Sequence, residues 1–122
     1  MAIDGPRVVS THPPYIPITL SIRGQSGALE LEALVDTGFD GDVVVPPAAI
    51  ATDTASTKDL VWYQADGSAV RAPGYVGELR IGSTRVAPII VSALGNLPII
   101  GRGITSRFTV TFDHDRRVIV EP

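Results

Sequence analysis

The stretch 32-EALVDTGFDGDVVVP-46 decides how the rest of the chain is read. It ends one apolar run in Asp36, Thr37 and Gly38 and opens another at Val43. Upstream, 28-ALELEALV-35 sets Leu29, Leu31, Ala33 and Val35 on one face and Glu30 and Glu32 on the other, the period of a strand with one buried face. Leu34 breaks that alternation, so both faces are covered as the strand reaches Asp36. A carboxylate delivered to the end of a buried strand has two readings. It closes a tight turn by accepting local backbone N–H groups, or it belongs to a site where it does chemistry.

Outward from this loop the chain reads as an all-β domain, because its ten prolines and twelve glycines punctuate short segments rich in Val, Ile, Leu and Thr. Ile16, Ile18, Leu20 and Ile22 alternate with polar positions and Pro17, and 24-GQSG-27 turns the chain back into the strand before Asp36. After the loop, Val43–Val45 form a short strand closed by Pro46 and Pro47, and residues 48–59 leave room for one helical turn. A hairpin is predicted over 60-LVWYQADGSAVRAPGYV-76, where Asp66 and Gly67 supply the backbone angles of a tight turn. A second hairpin turns at Gly82 and Ser83. In 95-GNLPIIGRGITSRF-108, Ile99 and Ile100 run into Gly101, with a short helix expected beyond. A final hairpin turns at residues 113–116. The segments 32-EALVDTG-38 and 97-LPIIGRG-103 share a layout, too weak a likeness to argue duplication.

Bulk properties narrow the functions. The 122 residues fit a single domain, 1–122, with residues 1–14 expected as a flexible arm and 108–122 as a C-terminal hairpin. A net charge of −3 and scattered basic residues give no reason to expect a nucleic-acid partner. No cysteine is present, which removes thiol nucleophiles and cysteine zinc sites. Neither a signal-peptide pattern nor an apolar run of membrane-spanning length is found, so a cytoplasmic protein without a membrane partner is expected. In Asp113, His114 and Asp115 neighbouring side chains would point to opposite faces of a strand, so neither a metal nor another cofactor is expected.

The apolar strand, Asp36-Thr37-Gly38, a hairpin and, about sixty residues on, 97-LPIIGR-102 occur in an order that resembles the retropepsin-like aspartic proteases. The resemblance spans roughly Ile16 to Phe112 and implies a closed acid-protease barrel with a flap hairpin. It makes Asp36 the catalytic carboxylate, Thr37 a brace between two active-site loops, and Gly38 the point where substrate backbone approaches. Asp40 would bind substrate main chain and pair with Arg102, although the same two residues also fit an ordinary surface pair. Asp66 and Gly67 would lie at the flap, and Ile99, Ile100 and Gly101 would support the active-site loop from below.

Peptide hydrolysis by carboxylates needs one group to take a proton from water and another to protonate the substrate. The chain has one Asp-Thr-Gly, since 53-DTA-55 lacks the glycine, so a dyad requires a homodimer with Asp36 contributed by each chain. The expected function is therefore an aspartic endopeptidase acting on extended peptides. Phe39 stands where the family resemblance would put a small or hydroxyl-bearing residue, which predicts a less acidic optimum than that of pepsin-like enzymes. Phe39 and a flap poor in glycine also motivate an alternative, an inactive module that binds peptides or dimerises. A barrel that binds oligonucleotides is a distant third option, given the acidic balance.

Overall fold

The computed structural model describes residues 7–122. Among these residues, ten strands and one short helix succeed one another: β1 (Val8–Ser10), β2 (Tyr15–Ile22), β3 (Leu29–Val35), β4 (Val43–Val45), β5 (Lys58–Tyr63), β6 (Ala69–Ile81), β7 (Thr84–Ala93), β8 (Ile99–Ile100), α1 (Arg102–Thr105), β9 (Thr109–Asp113) and β10 (Arg117–Glu121). A 3₁₀ turn over Pro47–Ala49 occupies the segment that had room for one. No helix among the described residues is long and apolar enough to cross a membrane.

The larger sheet runs β2-β3-β8-β4-β7-β6-β5, and β2 also pairs with β6, which closes β2, β3, β8, β4, β7 and β6 into a six-stranded barrel. Closure depends on β2 serving two neighbours. Its first part, from Tyr15 to Leu20, lies against β3, while Thr19 to Ile22 lie against β6. Ile16, Ile18, Leu20 and Ile22 all point into the barrel and are almost fully buried. The predicted alternation is thus the inside and outside of a closed sheet. Each such side chain taken out of water contributes about 1.5–3 kcal/mol, and Val43, Val45, Leu79, Ile81, Val91, Ile100 and Ile104 complete the same core.

β6 continues past the barrel wall. Its C-terminal half pairs with β7 and β2, whereas Ala69 to Gly74 pair with β5, so β5 and the start of β6 project as a hairpin. On that hairpin Asp59, Val61, Tyr63 and Arg71 face outward, and Leu60, Trp62, Val70 and Ala72 face the body of the protein.

A second sheet, β1-β10-β9, carries Val118 and Val120 into the shared core. Within the flexible arm expected over residues 1–14, residues 8–10 are instead a strand: Val8, Val9 and Ser10 pair with Val120, Ile119 and Val118. Ser10 also donates its hydroxyl to the Tyr15 carbonyl at 2.6 Å. The apolar pair Val8–Val9 found a partner strand far along the chain, which proline spacing near His12 could not reveal. Residues 1–6 of the expected arm lie outside the described residues.

Candidate active site

The loop from Asp36 to Asp42 joins β3 to β4, and β8 lies between those two strands, parallel to β3 and antiparallel to β4. Leu34 and Val35 pair with Ile99 and Ile100. Leu34 is half-buried and Val35 buried, so the outer face is partly covered as the strand reaches Asp36. Ile100 is 1 % exposed and Gly101 is buried, so the floor under the loop is dry.

Backbone bonds fasten the loop to that floor along its whole length. Asp36 donates its N–H to the Ile100 carbonyl at 3.0 Å. Arg102 donates to the Phe39 carbonyl at 2.7 Å, Gly103 to Gly41 at 3.0 Å, and Gly101 to Asp42 at 2.9 Å. Within the loop, the Gly38 N–H donates to Asp36 Oδ1 at 2.9 Å. One carboxylate oxygen of Asp36 is thereby oriented by its own turn. The group is only partly buried, with Thr37 and Gly38 exposed beside it. An oriented, half-buried carboxylate at the end of a barrel strand can exchange protons with a bound water or a polarised carbonyl.

Asp40 and Arg102 are both exposed, and the ion pair expected between them is not formed. The physical reason is exposure: both side chains lie in solvent, where an ion pair gains little over hydration, and the segment is tied to the loop by the Arg102 N–H bond to Phe39 instead. Sequence reasoning missed Asp42 instead. Its Oδ2 accepts the Ile90 N–H at 2.9 Å, continuing the β4–β7 pairing one residue before β4 begins at Val43. An acid placed immediately before a fully buried valine run was the available signal.

At the hairpin tip, Gly67 has a φ of +86°, as the predicted turn demands. Asp66 Oδ1 accepts the Ser68 N–H at 2.9 Å and its hydroxyl at 2.6 Å. These bonds, the hydroxyl's first, hold the Asp66 carboxyl below the ordinary aspartate value. The carboxylate thus serves the turn, and the hairpin is fastened to the Asp36 loop farther back, where Phe39 meets Trp62 edge to face with ring centroids 5.0 Å apart. Tyr63, the next residue, points away and is 77 % exposed.

Open grooves elsewhere on the surface, one between β2 and the β6–β7 hairpin, one beside β2 and β3, and one near Gln25, include none of Asp36, Thr37, Gly38, Asp66 or Gly67 in their linings. Asp36 is half-buried, and Thr37 and Gly38 beside it are exposed.

Comparison with solved structures relates this geometry to known proteins. The chain is similar to the crystal structure of a retropepsin-like aspartic protease from Rickettsia conorii, with a TM-score of 0.64 and 14 % identity over 93 % of this chain and 89 % of that one. It also matches the solution structure of the Simian Foamy Virus (mac) protease, with a TM-score of 0.49 and 18 % identity over 74 % of this chain and 91 % of that one. No protein-family model matches the sequence, and no curated protein matches it. The fold is accordingly the retropepsin-like fold. More particularly, it is a single-lobe barrel carrying one Asp-Thr-Gly loop.

Proposed function

We propose that the protein is an aspartic endopeptidase that works as a homodimer, with Asp36 of each chain forming a shared dyad. The observation that carries this reading is Asp36 itself, oriented through Oδ1 by the Gly38 N–H and tied through its backbone to β8 at the end of a barrel strand. Two carboxylates that close cannot both ionise, so the pair holds one proton. The ionised Asp36 takes a proton from water as the oxygen attacks the scissile carbonyl carbon. Its neutral counterpart donates to the carbonyl oxygen, giving a tetrahedral diol. Asp36 then passes its proton to the amide nitrogen, the C–N bond breaks as the counterpart takes a proton from one diol hydroxyl, and acid and amine leave with the dyad again holding one proton.

This scheme gives roles to other residues. Thr37, exposed at the loop's apex, would brace the two loops across the two-fold axis, and Gly38 would admit substrate backbone. Asp40 and the turn at Asp66 and Gly67 would contact an extended peptide from below and above. The hairpin's inward Leu60 and Val70 would favour substrates with apolar side chains near the cut.

The test is cleavage of a mixed peptide library by wild type and Asp36→Asn. Asn retains an oxygen for the Gly38 N–H, so fold and dimer should persist while cleavage falls by at least about 10³-fold, the scale of a lost acid–base group. Cleavage that survives would assign the activity to another group. One observation favours a second reading, a peptide-binding module without turnover: the Phe39 ring is engaged with the hairpin, close to the loop that would carry the chemistry. Tight peptide binding, unchanged in Asp36→Asn and without products at any pH from 4 to 7, would select it.

A further inference from the structure

We infer that Phe39, Trp62 and Ser92 form a latch that sets the position of the flap hairpin relative to the Asp36 loop, making Phe39 and Trp62 positioning residues for substrate. The inference rests on the peptidase reading for its kinetic consequence, but not for the latch itself.

Strand β5 is the edge of its sheet and, among the described strands, pairs only with β6, so little of the hairpin's backbone reaches the barrel. The hairpin's polar side chains bond locally: Asp59 with Arg71, Ser68 with Asp66 and with Gln64. Trp62 is different. Its Nε1–H donates at 3.0 Å to the hydroxyl of Ser92 on β7, a residue 1 % exposed. The edge-to-face contact with Phe39, at an interplanar angle of 67°, joins the same indole to the Asp36 loop. One side chain therefore links the flap, the barrel wall and the loop.

The surroundings of Phe39 are shaped for its ring. A Cβ on Gly41 would overlap both Phe39 and Trp62, and a Cβ on Gly101 would overlap Phe39 and the Gly41 carbonyl. Gly41 and Gly101 are themselves partners in the backbone ties that hold the loop to β8 and α1. The bulk of Phe39 at a position where the family resemblance calls for a small side chain thus has a structural counterpart: two glycines that make room and an aromatic flap residue that meets it.

Trp62 is the chain's single tryptophan, so its fluorescence reports on the latch alone. The experiment compares wild type, Phe39→Leu, Phe39→Ala, Trp62→Phe and Ser92→Ala by amide hydrogen exchange, tryptophan emission with acrylamide quenching where Trp62 is retained, and peptide kinetics. Phe39→Ala should speed exchange of the hairpin amides from Trp62 to Val70 by about tenfold or more, with the β2–β3 hairpin unchanged. Emission should shift to the red and quenching should rise. Phe39→Leu and Trp62→Phe, which keep apolar bulk, should fall between. For cleaved peptides, KM should rise by about tenfold with kcat within about twofold. Hairpin exchange that stays at the wild-type rate, or that rises together with the β2–β3 hairpin, overturns the latch, the second result showing only general core loss. Exchange and fluorescence are read on the free protein and in the Asp36→Asn background, so a protein that cleaves nothing still decides the latch, and a failed latch leaves the dyad standing.

Discussion

Asp36 and Asp66 begin the same local device. Each lies at a turn with glycine, and each accepts, through Oδ1, the N–H of the residue two positions on, in both cases at 2.9 Å. Their surroundings differ. The Asp36 turn ends a buried strand and is tied by four backbone bonds to the segment from Ile100 to Gly103, about sixty positions later. The Asp66 turn caps an exposed hairpin and is closed by its own neighbours, Ser68 and Gln64. A tight Asp turn is therefore not an alternative to a functional site. The same unit occurs in both loops, and only the Asp36 turn is tied by backbone bonds to a distant segment.

The largest difference between the two turns is expected at the floor of the Asp36 loop. Ile100→Ala removes a side chain that is 1 % exposed, and the protein should lose about 2–5 kcal/mol of stability in chemical denaturation. Val61→Ala on the outer face of the flap should change stability by less than about 0.5 kcal/mol. Equal losses at the two sites would contradict the assignment of a rigid loop and a loosely held hairpin.

Asp42→Ala should cost about 1–3 kcal/mol, because it leaves the part-buried Ile90 N–H without its acceptor. Asp42→Asn, which can still accept that bond, should recover much of the loss. If the two variants are equally unstable, charge rather than the hydrogen bond is what the loop requires.

Smaller effects belong to the hairpin tip. Asp66→Ala should leave Tm within about 2 °C of wild type while the Ser68 amide exchanges faster, since only the turn loses its acceptor. The pH dependence has a defined sign. Because hydrogen bonds from the Ser68 hydroxyl and N–H hold the Asp66 carboxyl below its ordinary value, the turn's contribution is complete above that ordinary value and is lost only as pH falls through the lower folded one. An NMR titration of the Ser68 amide should accordingly show a midpoint below that of an unstructured aspartyl peptide. A midpoint at or above it would mean that the carboxylate is not held by Ser68 in solution.

The hairpins were legible in the sequence because their information is local: alternation in residues 16–22, a turn-forming pair at Asp66 and Gly67, another at Gly82 and Ser83. The short helix after Gly101 could be anticipated for the same reason. Pairings between distant segments carried weaker signals. Strand β8 has two residues, too few to show a period, so its insertion between β3 and β4 could not be read locally. Pairing of β1 with β10 left no signal that separates it from an arm, since three residues show too little periodicity. Within the candidate site, the position of Asp36 at a strand end could be read directly. The Asp40–Arg102 pair could not be decided, because an exposed ion pair is worth little beside the backbone bond that Arg102 makes to Phe39. The reach of Asp42 to β7 and the meeting of Phe39 with Trp62 depend on how the barrel closes, and so appear only in three dimensions.

Whether Asp36 is half of a dyad shared between two chains can be decided by mixing. Wild type and Asp36→Asn, exchanged into random dimers at equal amounts and fixed total concentration, should retain about one quarter of the peptidase activity of wild type, the fraction of dimers with two intact carboxylates. A value of about one half would mean that each chain works alone, and the shared dyad would be wrong.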